Sequence, residues 1–200
     1  MSPLDSAGRR TLLEIAKRAV LFAVEKRPAY RVDPIPPGVL SEPAGVFVTL
    51  RHGKKLRGCI GRLMTTEPLA QAVADAARSS ALEDPRFPPI KPVELAALEI
   101  EISVLSPFEN TNAAAIEVGK HGLLIRRGNQ RGLLLPQVAS EYAWTADRFL
   151  SETCVKAGLK PDSWREPGTE ILRFTADVFS SVDFPEIKSG ADQESAPRQI

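Results

Sequence analysis

The chain has 200 residues, 43% of them hydrophobic, enough for a sizeable core in one domain or in one compact unit with two lobes. Lys and Arg number 26 against 25 Asp and Glu, and this balance excludes a global electrostatic footprint for nucleic acid or membrane. Two cysteines are too few for a disulfide framework, residues 1–10 lack an apolar core, and no apolar run is long enough to span a bilayer; a reducing cytoplasmic location is expected.

Residues 11–26 carry Leu12, Ile15, Ala16, Ala19, Val20 and Ala23 at helical spacing and predict an amphipathic helix. Residues 27–43 hold Pro28, Pro34, Pro36, Pro37 and Pro43, a density that only an extended connection tolerates. Residues 45–50 and 55–63 read as two strands around a His52-Gly53-Lys54 turn. The Ala-rich stretch 67–81 reads as a helix with Thr66 as its N-cap. Residues 83–92 contain four prolines and predict a rigid loop. Residues 98–105 alternate, with Leu98, Ile100, Ile102 and Val104 on one face and Glu99, Glu101 and Ser103 on the other, as in a half-buried strand. Short strands are predicted at 116–118, 122–126 and 132–135, a second long helix at 139–157 closed by Gly158, and a last strand at 171–179. The polar stretch 185–200 reads as a disordered tail. Helices and hairpins mixed without β-α-β alternation argue for an α+β fold with antiparallel sheets.

The most informative stretch is 56–61, which reads Leu56-Arg57-Gly58-Cys59-Ile60-Gly61. In a regular strand Arg57 and Cys59 point to one face, and a guanidinium near a thiol favours the thiolate. Cys59 is therefore either a packed thiol or a candidate nucleophile. Gly58 and Gly61 leave room for a close approach to the backbone. The surrounding basic run of Arg51, His52, Lys54, Lys55, Arg57 and Arg62 is either a solvated hairpin edge or an anion-binding rim.

His121 stands in Gly119-Lys120-His121-Gly122, either as a turn residue or as a general base and thiolate partner, with Lys120 beside it as a candidate ligand-binding cation. Asp84 and Arg86 either fix a stiff loop, or orient an imidazole and clamp a carboxylate or phosphate. Glu101 belongs to a solvated face or a cleft wall, and Gln137 could hydrogen-bond a ligand at the start of a helix. Cys154, Trp144, Phe149 and Trp164 read as packing. No P-loop, dinucleotide fingerprint or serine elbow is present, and the cysteines and histidines match no zinc spacing. A site of Cys59, His121 and a carboxylate such as Glu101 is the only metal arrangement to weigh.

Further segments agree with the hexamer in pointing to one family. They are Gly45-Val46-Phe47-Val48-Thr49-Leu50, Asp84-Pro85-Arg86-Phe87-Pro88-Pro89, Gly119-Lys120-His121-Gly122-Leu123, Leu134-Leu135-Pro136-Gln137-Val138-Ala139 and Cys154-Val155-Lys156-Ala157-Gly158-Leu159. With them the chain resembles the AMMECR-type domain family, protein A of the AmmeMemoRadiSam system, from the first helix to Phe179. The resemblance implies two lobes over residues 1–184, the larger built from both chain ends and the smaller from the middle. It also implies a functional cleft between them lined by the hexamer. It names no cofactor.

Three functional expectations follow. The first is an enzyme or enzyme component acting on a small anionic or nucleotide-like ligand, with Arg57 holding the anion, Cys59 as nucleophile or redox thiol, and His121 as its proton partner. The second is a non-catalytic module for the partners the resemblance implies, a Memo-like protein and a radical-SAM enzyme. Any iron–sulfur chemistry would then belong to the partner, because the chain has no radical-SAM cysteine triad. The third is RNA binding through the basic run, opposed by the balanced charge and the lack of interleaved aromatics.

Overall fold

A computed structural model describes residues 4–188. Helix α1 spans Ser6–Val24, strands β1 and β2 Val46–His52 and Lys55–Arg62, and helix α2 Leu69–Leu82. Strand β3 spans Leu98–Leu105 and the short strand β4 Glu109–Asn110. Then come β5 (Gly122–Arg127), β6 (Gln130–Leu134), α3 (Pro136–Glu141), α4 (Ala146–Lys156), β7 (Glu170–Phe174), β8 (Ala176–Ser180) and α5 (Pro185–Lys188). The architecture is α+β, with two four-stranded sheets ordered β2-β1-β3-β8 and β4-β7-β5-β6. Every strand pairing with a resolved register is antiparallel. The chain divides into two units, a larger one from both chain ends and a smaller one over residues 105–177.

In the larger unit one face of the sheet and two helices share a core. Val46 lies opposite Val104, Val48 opposite Ile102 and Leu50 opposite Ile100, and none of the six is more than 5% exposed. The alternation read from residues 98–105 thus has its apolar face inward. Helix α1 buries Leu12, Leu13, Ile15, Ala16, Ala19 and Val20, and Asp5 caps it by accepting from the Gly8 N–H at 2.7 Å. Helix α2 buries a row of alanines, whose small side chains let it pack on both α1 and the hairpin. Its start differs from expectation. The side-chain cap expected from Thr66 does not form; Pro68 holds the N-cap position and the Leu69 N–H donates to the Glu42 carbonyl at 2.9 Å.

In the smaller unit Leu123, Ile125, Phe149, Leu150 and Cys154 form a separate buried core with Trp144 and Trp164 packed against it. Two expectations are corrected here. Residues 116–118 make no strand, because Ile116 closes a 3-10 turn over Ala113–Ala115 and drops into the core. The helix expected over 139–157 is two helices. Ala143 takes a positive φ of 50° between them, and Thr145 caps the second by accepting from the Arg148 N–H at 3.3 Å. Gly158 closes that helix as expected, at φ 77°.

The last strand is divided at Thr175, whose N–H donates to Ser106 Oγ at 2.9 Å. Strand β7 on one side of it joins the smaller sheet and β8 on the other joins the larger. Of the tail expected over 185–200, Pro185–Lys188 forms a short helix with Ile187 buried, and the rest lies outside the described residues. Among the described residues no helix is long and apolar enough to cross a membrane.

Candidate functional site

Cys59 lies on β2, the edge of the larger sheet. Its Sγ is half-buried and accepts a hydrogen bond from Thr49 Oγ1 at 3.3 Å. Thr49 is opposite Cys59 on one side and opposite Glu101 on the other, so thiol, hydroxyl and carboxylate form one cross-strand row. Glu101 is half-buried in that row, and Ser103, further along β3, is 2% exposed, so this face is not simply solvated.

An edge strand leaves N–H and C=O groups without a ladder partner. At Cys59 two side chains of the Pro-rich loop supply them. Asp84 Oδ2 accepts from the Cys59 N–H at 2.8 Å, and Arg86 Nη2 donates to the Cys59 carbonyl at 3.3 Å. The pair also binds itself side-on, Arg86 Nε to Oδ1 at 2.9 Å and Nη2 to Oδ2 at 2.7 Å. The Asp84 side chain is 2% exposed and that of Arg86 55%. The Arg86 guanidinium holds the Asp84 carboxyl far below the usual carboxylate range, against the opposing effect of burial and with help from the Cys59 and Arg86 N–H groups. Arg86 is in turn held charged mainly by Asp84 and, to a smaller extent, by the Cys59 side chain.

Arg57 takes a different course from the one its spacing suggests. The register shifts between Leu50 and Arg51, which pair with Gly58 and Leu56, so Arg57 is the extra residue of a bulge. Its side chain turns to Glu94, Nε to Oε1 at 2.6 Å and Nη2 to Oε2 at 3.1 Å, and both terminal nitrogens reach the Pro88 carbonyl at 3.3 Å. The Arg57 contact lowers the Glu94 pKa to about 2, helped by the Lys91 N–H and opposed by burial. Both arginines near the thiol are thus paired with carboxylates, and the one beside Cys59 is Arg86.

The glycines also have occupants. A Cβ on Gly58 would stand 2.0 Å from the Ser80 carbonyl oxygen of α2, and one on Gly61 2.3 Å from the Val46 carbonyl oxygen and 2.5 Å from the Phe47 ring. The space beside each is filled by the protein itself. Ser80 draws the helix in: its Oγ accepts from the Ile60 N–H at 2.8 Å and donates to the Val48 carbonyl at 2.7 Å, bridging two opposed residues.

His121, Lys120 and Gln137 belong to the smaller unit, whereas Cys59, Arg57, Gly58, Gly61, Asp84, Arg86 and Glu101 belong to the larger. His121 is 5% exposed; its ring Nδ1 accepts from the Glu117 N–H at 3.0 Å, and its backbone N–H donates to the Glu117 carbonyl at 3.0 Å. A ring nitrogen that accepts from a backbone N–H carries no proton, so the neutral ring has its proton on Nε2. Burial, seconded by the charge of Arg173, pushes the His121 pKa down. In this state the imidazole is a hydrogen-bond donor at Nε2, with its basic nitrogen already engaged. Lys120 pairs with Glu117 at 2.9 Å on the surface. Gln137 is half-buried in the first turn of α3. Among the described residues, no three His, Cys, Asp or Glu side chains gather where they could hold a metal ion.

Sequence reasoning did not find Thr49, Ser80 or Glu94 as parts of this region. The signal for Thr49 was present, since it is the one hydroxyl in an otherwise apolar strand core, but its partner depends on register. Glu94 lies 37 residues from Arg57.

Comparison with known proteins agrees with this architecture. The AMMECR1 family model matches residues 13–179. A protein of Methanothermobacter thermautotrophicus is 44% identical over 185 residues, covering 89% of this chain and 96% of its own length. A Methanosarcina barkeri relative is 46% identical over 193 residues, covering 90% and 93%. The crystal structure of an uncharacterized protein from Pyrococcus horikoshii superimposes with a TM-score of 0.79 at 40% identity, over 84% of this chain and 89% of that one. By the extent of the family match and the identity of these relatives, the chain belongs to the AMMECR1 family.

Proposed function

We propose that the chain is an enzyme or enzyme component of the cytoplasm that works through Cys59, binding or modifying a small ligand beside the thiol. The observation that carries this reading is the setting of the sulfur. It is half-buried on a strand whose backbone is clamped at that residue by Asp84 and Arg86, and it accepts a hydrogen bond from Thr49. A nucleophilic or redox sulfur needs a fixed position and nearby donors. Cys154 is the contrast within the same chain: it is fully buried, and burial raises its pKa. An anionic or nucleotide-like ligand remains the proposed class, with the exposed side of Arg86 as its contact, since Arg57 is committed to Glu94.

The test is retention of a small molecule. Wild-type and Cys59→Ala chains are incubated with a small-molecule extract, washed and measured by intact mass and by analysis of released ligand. A compound retained by the wild type and lost from Cys59→Ala supports the reading; the same compounds on both chains overturn the role of the thiol.

A second proposal is the partner module, in a system with a Memo-like protein and a radical-SAM enzyme. The pairing of Arg57 and Arg86 with carboxylates favours it, because it makes this region a rigid surface more than an anion trap. Normal co-purification of those two proteins with Arg57→Ala and Arg86→Ala chains would remove this surface as the docking site.

A further inference from the structure

The smaller unit carries a depression of about 390 Å³ that the Cys59 reading does not use. Among its lining residues are Ser106, Glu109, Lys120, His121, Arg173 and Thr175. Its charges are sorted by depth. His121 is 5% exposed and the Arg173 side chain 33%, whereas the side chains of Glu109 and Glu117 are 66% and 60% exposed. Hydrogen-bond donors therefore line the floor and the carboxylates stand at the rim.

The donors are available in kind. The Glu117 N–H fixes Nδ1 of His121 as an acceptor, which leaves Nε2–H as the ring's free polar group. Arg173 meets Glu109 Oε2 through Nε and Nη2 at 3.3 Å each, long for charge-assisted bonds, and reaches the Ala115 carbonyl through Nη1 at 3.5 Å. A solvent-exposed pair of that geometry is weak, so a better-placed anion can displace the Glu109 carboxylate. Ser106 and Thr175 are held in place by two hydrogen bonds, Ser106 N–H to the Thr175 carbonyl and Thr175 N–H to Ser106 Oγ, both at 2.9 Å. Gly122 next to His121 lets the Phe174 ring close one wall, since a Cβ there would stand 2.2 Å from the ring.

We propose that this depression is an oxyanion site, taking a carboxylate or phosphoryl group against Arg173 and Nε2–H of His121 with Lys120 at the rim. The depressed His121 pKa keeps the ring a neutral donor at physiological pH, so recognition there rests on the hydrogen bond and on the Arg173 charge. The site is independent of the thiol reading, and Cys59→Ala leaves it intact.

Long-range ¹H–¹⁵N spectra of the full ¹⁵N-labelled chain near neutral pH test the proposal, with exposed His52 as reference. Sodium phosphate and sodium acetate are titrated separately at constant ionic strength. The expected spectrum shows His121 as the Nε2–H tautomer, and its signal shifts saturably below about 10 mM of at least one probe. A response to phosphate alone identifies a phosphoryl group, to acetate alone a carboxylate, and to both a general oxyanion site. Arg173→Gln is expected to weaken binding at least about tenfold. Lys120→Gln, at an exposed position, is expected to weaken it about threefold and serves where Arg173→Gln fails to fold. No saturable shift with either probe, a proton on Nδ1, or unchanged binding in folded Arg173→Gln overturns the proposal.

Discussion

At the scale of single residues, the region around Cys59 is held by two carboxylates, each with a depressed pKa and a bidentate arginine. Replacing Asp84 by Asn removes the charge from a side chain that is 2% exposed, and with the amide oxygen kept on the Cys59 N–H its NH2 donor stands where Oδ1 now accepts from the Arg86 Nε and backbone N–H. The expected loss is about 1–3 kcal/mol in urea unfolding, mostly from the charge-assisted bond to the Cys59 N–H, because the half-exposed Arg86 is solvated when its partner is lost. The Arg57–Glu94 pair makes a pH-dependent contribution whose sign is fixed. Glu94 has a folded pKa lowered to about 2, so its stabilisation is present in full above the unfolded carboxylate range and is lost as pH falls toward about 2. Glu94→Gln is therefore expected to cost about 1–3 kcal/mol at pH 7 and progressively less below about pH 4.5. A penalty that stays constant from neutral to acid pH in thermal unfolding would contradict this account of the pair.

At the scale of elements, the β1–β2 hairpin and α2 approach each other through Gly58 and Ser80. Gly58→Ala places a Cβ within 2.0 Å of a backbone oxygen, which cannot rotate away. The expected cost is at least about 2 kcal/mol, read as a fall in the urea midpoint, and Gly61→Ala is expected to carry a cost of the same order, because a Cβ there meets the Val46 carbonyl oxygen at 2.3 Å. The break between α3 and α4 makes a second test. Ala143 sits at a positive φ of 50°, so Ala143→Gly is expected to stabilise by about 0.5–1 kcal/mol, and Thr145→Ala to destabilise by about 1 kcal/mol through loss of the cap. A continuous helix through this stretch would reverse the first sign.

At the scale of the whole molecule, what could be read in the sequence follows the range of the interaction that determines it. The faces of β1 and β3 were legible because side-chain parity is local: Val46, Val48, Ile100 and Ile102 alternate whatever the partner strand is. The C-cap at Gly158 was legible for the same reason. The break near Ala143 was hidden because the apolar spacing continues through Phe149 and Leu150, and only the capping pattern Thr145-Ala146-Asp147 marks a new start. The division of the last strand at Thr175 was hidden because alternation shows which face is buried and not which sheet is joined. Around the thiol, the spacing of the hexamer suggested Arg57 as the neighbouring guanidinium, whereas the one that reaches Cys59 is Arg86. A one-residue bulge turns Arg57 away, and Arg86 arrives from a loop 27 residues on. The proton on His121 depends on Glu117, a hydrogen-bond partner that the Gly-flanked turn alone does not specify.

The most direct test of the thiol's role is the alkylation rate of Cys59 by iodoacetamide in the native chain, with Cys154 as internal control and peptide masses as readout. Cys59 is expected to react at least about tenfold faster than Cys154, and Thr49→Val to slow it by removing the hydroxyl that hydrogen-bonds the sulfur. Equal slow rates at the two cysteines, or a Cys59 rate indifferent to Thr49→Val, would contradict this role of the thiol.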